Sequence, residues 1–341
     1  MRASERIGRA RRLLGIAGGL AWVLAACSGP SAASDGGTPS SSLDLGALPD
    51  GLEIRLPAAP TITREVEVTS ADAFTEAASV PGTRIRVTAG FDGRAFVRAD
   101  DVEILVDDGV AVGSLLVERA HARILVRGGR WESLELQVPA RFFPGPEEWR
   151  EEWLVEDVLF EGVEVDAPDS AFLIRGRRVA IVDSEARAVR YSVWCGQTDE
   201  FQSEDIVLVG NDFASEGPEA TVRLVQVNRA VTVDNRLSNG AKHNYRVHGR
   251  SDLAYAARNV LVNTGVMLGT LPGDALGRVW FDENRLHHVS PSLFLADPSI
   301  ERLVSRGNRA FSDAVGCWLC GDPPDGWDVA DNLIEPYAPP D

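Results

Sequence analysis

From about residue 205 to the end of the chain, short apolar strands recur, and each closes on an asparagine. DIVLVGN, AVTVDN, AYAARN, RVWFDEN, LVSRGN and WDVADN end at Asn211, Asn235, Asn259, Asn284, Asn308 and Asn332, at intervals of 24, 24, 25, 24 and 24 residues. Apolar side chains two residues apart mean strands with one buried face. Counted back from each asparagine, positions −4 and −2 hold Val207 and Val209, Val231 and Val233, Tyr255 and Ala257, and these are expected to point inward. After the 25-residue interval the pair moves to −5 and −3: Val279 and Phe281, Leu303 and Ser305, Trp327 and Val329. One inserted residue, a bulge just before Asn284, would account for both the interval and the change of phase. Another apolar side chain stands two residues past most of these asparagines: Phe213, Leu237, Leu261, Leu286 or Ile334. The pattern extends backwards through VAIVDS, ending at Ser184, VLFEG, ending at Gly162, and more loosely through ARILVRGG and VEILVDDG.

A unit of two dozen residues with short strands and no amphipathic helix cannot bury its own apolar face, so successive units must stack. Stacked strands lie parallel about 4.8 Å apart, which sets the asparagines one above another as a structural amide ladder. The predicted fold is all-β: a single-stranded right-handed parallel β-helix over residues 51–341, with turns of about 24 residues. Residues 66–90 read as strand, short amphipathic helix, Pro-Gly turn and strand. That beginning, with the repeats that follow, resembles the helix-capped pectate-lyase-like superfamily, a likeness spanning about residues 55–335. The resemblance implies architecture; the superfamily includes lyases, hydrolases, epimerases and non-catalytic binders. A β-propeller would need longer, four-stranded repeats.

A second strand follows each ladder position by about ten residues: AFLIRG, YSVWCG, TVRLVQ, NYRVHG, GVMLG, SLFLAD and GCWLCG. With Phe172, Ile174, Val193, Cys195, Val222, Leu224, Tyr245, Val247, Leu293, Leu295, Cys317 and Leu319 inward, the alternate positions form an outer column. That column would hold Leu173, Trp194, Arg223, Arg246, Phe294 and Trp318, with Arg175 and His248 one step along. Residues 139–153 are a candidate loop to cover it.

Charge sharpens this picture. The chain of 341 residues carries a formal net charge of −17, yet its one lysine, Lys242, stands beside His243, Arg246 and His248. Acidity argues against nucleic acid as a partner, because phosphate binding needs a basic footprint larger than this cluster. Aromatic rings stack on sugars and guanidinium groups pair with carboxylates or sulfates. Trp194, Arg223, Arg246, Phe294 and Trp318 are therefore the expected binding residues for a polysaccharide. The catalytic alternative is β-elimination from an acidic glycan, for which Lys242, His243, Arg246 and His248 are the candidates. In pectate lyases, which the fold resembles, arginine serves as base and Ca2+ offsets the uronate carboxylate; here that implies Arg246 as base, and Asp199, Glu200, Glu204 and Glu219 are the acidic side chains nearby. A hydrolase needs paired carboxylates; of the polygalacturonase-like motifs only the fragments Asn211-Asp212 and His248-Gly249 are present. Binding ranks first, lyase second, and a purely structural surface protein third.

Five arginines, Arg2, Arg6, Arg9, Arg11 and Arg12, precede an apolar run that ends in Leu24-Ala25-Ala26-Cys27. This resembles a bacterial lipobox and implies a signal peptide over residues 1–26, lipidation at Cys27 and a flexible tether over 27–50. The membrane is then met through the lipid alone, and Ser28 after the cysteine favours the outer membrane of the cell envelope. His287-His288 reads as a polar turn and not a metal site, His121 stands alone, Cys317 and Cys320 form a disulfide or stay free, and Cys195 is a small buried hydrophobe.

Overall fold

The computed structural model describes residues 43–136, 151–196, 203–239, 241–263, 265–269, 273–288, 294–314, 316–319 and 321–340. Cys27, Asp199, Glu200, Leu293, Cys320 and most of the 139–153 insertion lie outside these residues. Among the described residues the chain coils into a parallel β-solenoid of about nine turns, consistent with right-handed coiling. One parallel sheet, sheet A, stacks twelve strands from Arg64–Val68 to Asp328–Ala330; a second, sheet B, has seventeen. One α-helix, Ala71–Ala77, begins at Ser70, whose hydroxyl accepts from the Ala73 amide. It lies over the strand Phe91–Val97, where the Phe96 amide donates to Thr75 Oγ1 (3.1 Å) and the Arg98 amide to the Ala78 carbonyl (3.0 Å). Phe74 and Ala77 on its inner face join the core.

The six asparagines stand in single file. Each Oδ1 from Asn235 to Asn332 accepts from both the backbone amide and the side-chain amide of the asparagine one turn earlier, at 2.7–3.1 Å. Ser184 continues the file: its amide donates to Asn211 Oδ1 and its hydroxyl accepts from the amide of Val163. Val163 therefore holds the ladder position of its turn, and Gly162, expected there, is the left-handed corner residue before it (φ 60°). Through most of the file these groups are buried, so every rung satisfies polar atoms that would otherwise be costly to desolvate.

The phase of the strands differs from expectation. The core face of sheet A is set by positions −5 and −3 throughout: Ile206 and Leu208, Ala230 and Thr232, Ala254 and Ala256, Val279 and Phe281. Val207, Val231, Tyr255, Trp280 and Val304 share one register line on the opposite, outer face. No bulge precedes Asn284; Arg250–Ala257 and Ala275–Asp282 pair without a shift. The extra residue arises because sheet B partners Arg246 with Met267 at a shorter interval, and the following loop lengthens to restore the register. The register shift lies between His243 and Tyr245, at Asn244.

The outer line is buried because residues 43–63 run along it as a strap. Leu45 and Leu52 are buried against Val207, Val231, Tyr255 and Trp280, with Leu43, Leu48 and Ile54 packed around them. Residues 43–50, expected to belong to the tether, thus pack on the solenoid. Further along, the strap docks on a column of left-handed residues at the start of the sheet A strands: Asp101, Arg123, Asp157, Arg178, Asp205 and Arg229, one per turn, with φ between 53 and 62°. Such φ values are strained for side chains with a Cβ, and bidentate ion pairs lock the conformation. Arg123, Arg178 and Arg229 each place Nε and Nη2 on the two carboxylate oxygens of the aspartate one turn earlier, at 2.6–3.0 Å. The strap then takes a carboxylate from every second turn: the Thr61 amide from Asp101, the Ala58 amide from Asp157, and Arg55 Nε from Asp205. Three residues of extended, proline-containing chain advance about 9 Å, and two turns rise about 9.6 Å, so strap and solenoid keep step.

Candidate glycan-binding site

Outward positions of sheet B form one file across successive turns: Leu173, Trp194, Arg223, Arg246, Met267 and Leu295 are register partners. Four of the expected column residues are thus brought together. Phe294 and Trp318, expected in the same file, are not. Phe294 pairs with Val266 in the core and stacks on Trp318 at 5.2 Å, and both rings meet Phe281. Trp318 donates its indole N–H to Ser305 Oγ inside the solenoid. The short GVML strand shifts the count by one, so Leu295, not Phe294, takes the outer position, 38% exposed.

The centre of the file is a second apolar cluster on the outer face, formed by Tyr191, Trp194, Val225 and Leu173. The Tyr191 and Trp194 rings lie 4.9 Å apart, and the Arg223 guanidinium sits 5.5 Å from each. Arg223 donates through Nη1 to Tyr191 Oη (2.7 Å) and through Nε to His248 Nε2 (2.9 Å). Because His248 accepts at Nε2, its ring proton belongs on Nδ1, which faces Asp274 at 3.9 Å. Arg246, one turn on from Arg223, is buried; Glu219 Oε2 lies 3.9 Å from its Nη1, and its Nε has no hydrogen-bond partner among the described residues.

These surroundings set the charges. Burial, reinforced by Arg223 and Arg246, pushes the His248 pKa down to about 3. Burial, with Arg246 and Lys242 beside it, pushes His243 to about 4 against the pull of Glu219. Both rings are neutral at physiological pH. Burial and then Arg223 also lower the pKa of Arg246. Lys242 points to solvent, its backbone amide held by Asn239 Oδ1. Tyr191, absent from the expected set, is the residue that orients Arg223; its place before SVWC carried no periodic signal, because its ring lies outside the core although its parity with Val193 reads as inward.

The other candidates scatter. Glu204 is engaged by Arg55 and Arg229 on sheet A, away from Glu219 on sheet B. No group of three or more His, Cys, Asp or Glu side chains suited to a metal occurs among the described residues. His287 stacks on Phe311 and its Nδ1 lies 2.6 Å from the Ala338 carbonyl. His121 meets Asp100 at 3.1 Å. Cys317 is disulfide-bonded. Cys195 faces the core, where burial pushes its thiol up to about 12 and leaves it unreactive.

No protein-family model matches the chain, and no curated protein matches it. Among solved structures it is similar to the native GH136 lacto-N-biosidase from Eubacterium ramulus, with 8% identity over 80% of this chain and 68% of that one and a TM-score of 0.47. It is also similar to the Dettilon tailspike protein gp208, with 10% identity over 81% of this chain and 60% of that one and a TM-score of 0.29.

Proposed function

We propose that this chain is a lipid-anchored envelope protein that binds an acidic polysaccharide on the outer face of sheet B. One observation carries the reading. Arg123, Arg178 and Arg229 on sheet A are each neutralised by a bidentate aspartate, whereas Arg223 and Arg246 stand on adjacent turns beside two aromatic rings and have no bidentate carboxylate: Glu219 lies 3.9 Å from Arg246, and Asp274 lies 3.9 Å from His248. Two adjacent cations in a chain of net charge −17 call for an anion from outside. A uronate or sulfate supplies it by pairing with the guanidinium groups, which the buried rings of Tyr191 and Trp194 back. The anchor rests on the Leu24–Cys27 motif.

The test is binding of the full chain to polygalacturonate and to a sulfated glycan, with a neutral glucan as control. The acidic polymers should bind, and Arg223→Ala should weaken them at least tenfold; equal binding of the neutral glucan would discard the reading. Incorporation of labelled fatty acid should be abolished by Cys27→Ser.

The lowered proton affinity of Arg246 supports a second reading, β-elimination with Arg246 as base. It predicts a rise in ultraviolet absorbance from unsaturated uronate products, which simple binding does not give.

A further inference from the structure

The side chains one residue past each ladder position form another outward file. In register order it runs Glu164, Glu185, Asp212, Arg236, Val260, Arg285, Arg309 and Leu333. The contrast with sheet A is sharp. There Asp and Arg alternate turn by turn and neutralise one another; here Arg130, which precedes Glu164 in the file, is paired with it, but beyond Asp212 the file carries arginines and no carboxylate. Arg285 and Arg309 are exposed, sit on neighbouring turns, and their side chains make no ion pair or hydrogen bond among the described residues. Like charges one strand spacing apart repel.

They form one wall of a cleft of about 500 Å3 whose other lining residues are Arg258, Val260, Glu283, Asn284 and Gly307. Gly307, at φ +64°, supplies no side chain where the neighbouring turn has Glu283, and this opens the cleft. Arg258 is held by Asp234 through two bonds of 2.9 and 2.7 Å, so its charge is spoken for. Glu283, whose side chain makes no hydrogen bond among the described residues, lines the same cleft and interacts electrostatically with Arg258. The cleft thus offers two guanidinium groups without an ion pair among the described residues, together with one carboxylate acceptor in its lining. A free oxyanion uses only the first feature; a hydroxyl-bearing anion uses both.

We propose that this cleft binds a sugar carrying a phosphate or sulfate monoester, with Arg285 and Arg309 on the oxyanion and Glu283 accepting from ring hydroxyls. The site is separate from the sheet B cluster and stands or falls without it.

Calorimetric titration of the full chain at low salt with glucose 6-phosphate, glucose 6-sulfate, inorganic phosphate and glucose tests it. Saturable binding of at least one monoester is expected, tighter than inorganic phosphate, and the two monoesters together tell which ester is preferred. Arg285→Ala/Arg309→Ala should weaken it tenfold or more, while Arg223→Ala leaves it unchanged. Glu283→Gln should weaken the sugar ester and strengthen inorganic phosphate. Both arginines are exposed, so the double variant should retain the parent melting curve. Absence of saturable binding by either monoester, undiminished affinity in the double variant, or inorganic phosphate binding as tightly as the sugar ester would overturn the proposal.

Discussion

Each asparagine from Asn235 to Asn332 carries more than its own hydrogen bonds, because its Oδ1 serves two donors on the turn before it. Replacing Asn259 by alanine strands the buried Asn235 amide and one Asn235 side-chain donor. The loss should be about 3 kcal/mol, on the principle that an orphaned buried polar group costs about 1–3 kcal/mol. Asn332 is only partly buried, so water replaces it and Asn332→Ala should cost about 1 kcal/mol. Urea unfolding midpoints of the two variants would check the ranking; equal losses would mean the ladder is not what holds these corners. The same logic applies to charges. Asp205 has a fully buried side chain serving Arg229 and Arg55. Burial raises its pKa, and the bonds from Arg229 and Arg55 reverse that and hold it below the ordinary carboxylate value. Asp205→Asn keeps the shape but removes the charge, and should destabilise by about 3 kcal/mol, the loss typical of a broken buried pair.

Among the elements, the strap of residues 43–63 is the one whose behaviour is most readily tested. It buries Leu45 and Leu52 on the outer line of sheet A while the carboxylates of Asp101, Asp157 and Asp205 fix its register. Leu45→Ser/Leu52→Ser should free its first half and expose Tyr255 and Trp280. The expected readout is faster hydrogen exchange over residues 43–56, gain of binding to a hydrophobic dye, and little change around Asp101. Dye binding equal to the parent would show that the strap does not shield this face. On sheet B the outer cluster packs Tyr191, Trp194, Val225 and Leu173 together, with Arg223 bonded to Tyr191.

Over the whole molecule, stability should fall with acid, although Asp282, pushed up to about 6 by burial, takes up a proton in the folded state and offsets part of the loss between about pH 6 and 4. His243 and His248 have folded pKa values of about 4 and about 3 against 6.5 in the unfolded chain, so between pH 6.5 and 4 the unfolded state takes up protons that the folded state refuses. Their contribution is complete above 6.5 and erodes below it. Asp101, Asp157 and Asp205, held below 3.8, add a loss in the same direction at still lower pH. Around the two rings stand Arg223, Arg246 and Lys242 as cations and Glu219 and Asp274 as anions, and the cations prevail. Melting temperature should therefore drop from pH 6.5 to 4.5, and the slope should flatten in His243→Asn/His248→Asn; an unchanged slope would assign the acid sensitivity elsewhere. The solenoid itself was readable in the chain, because asparagines at a constant interval have no other arrangement that satisfies their amides together. So were Trp194, Arg223 and Arg246 as register neighbours, since strands of similar length count alike. The inward phase of sheet A was not readable: the strap buries Val207 and Tyr255 on the far side, and a strand apolar on both faces carries no parity. Nor was the orientation of Phe294, which hangs on the shortened strand Gly265–Leu268. Local pattern reports that a residue is buried; which partner buries it is set by segments distant in sequence, here residues 43–63 lying on turns some two hundred residues later.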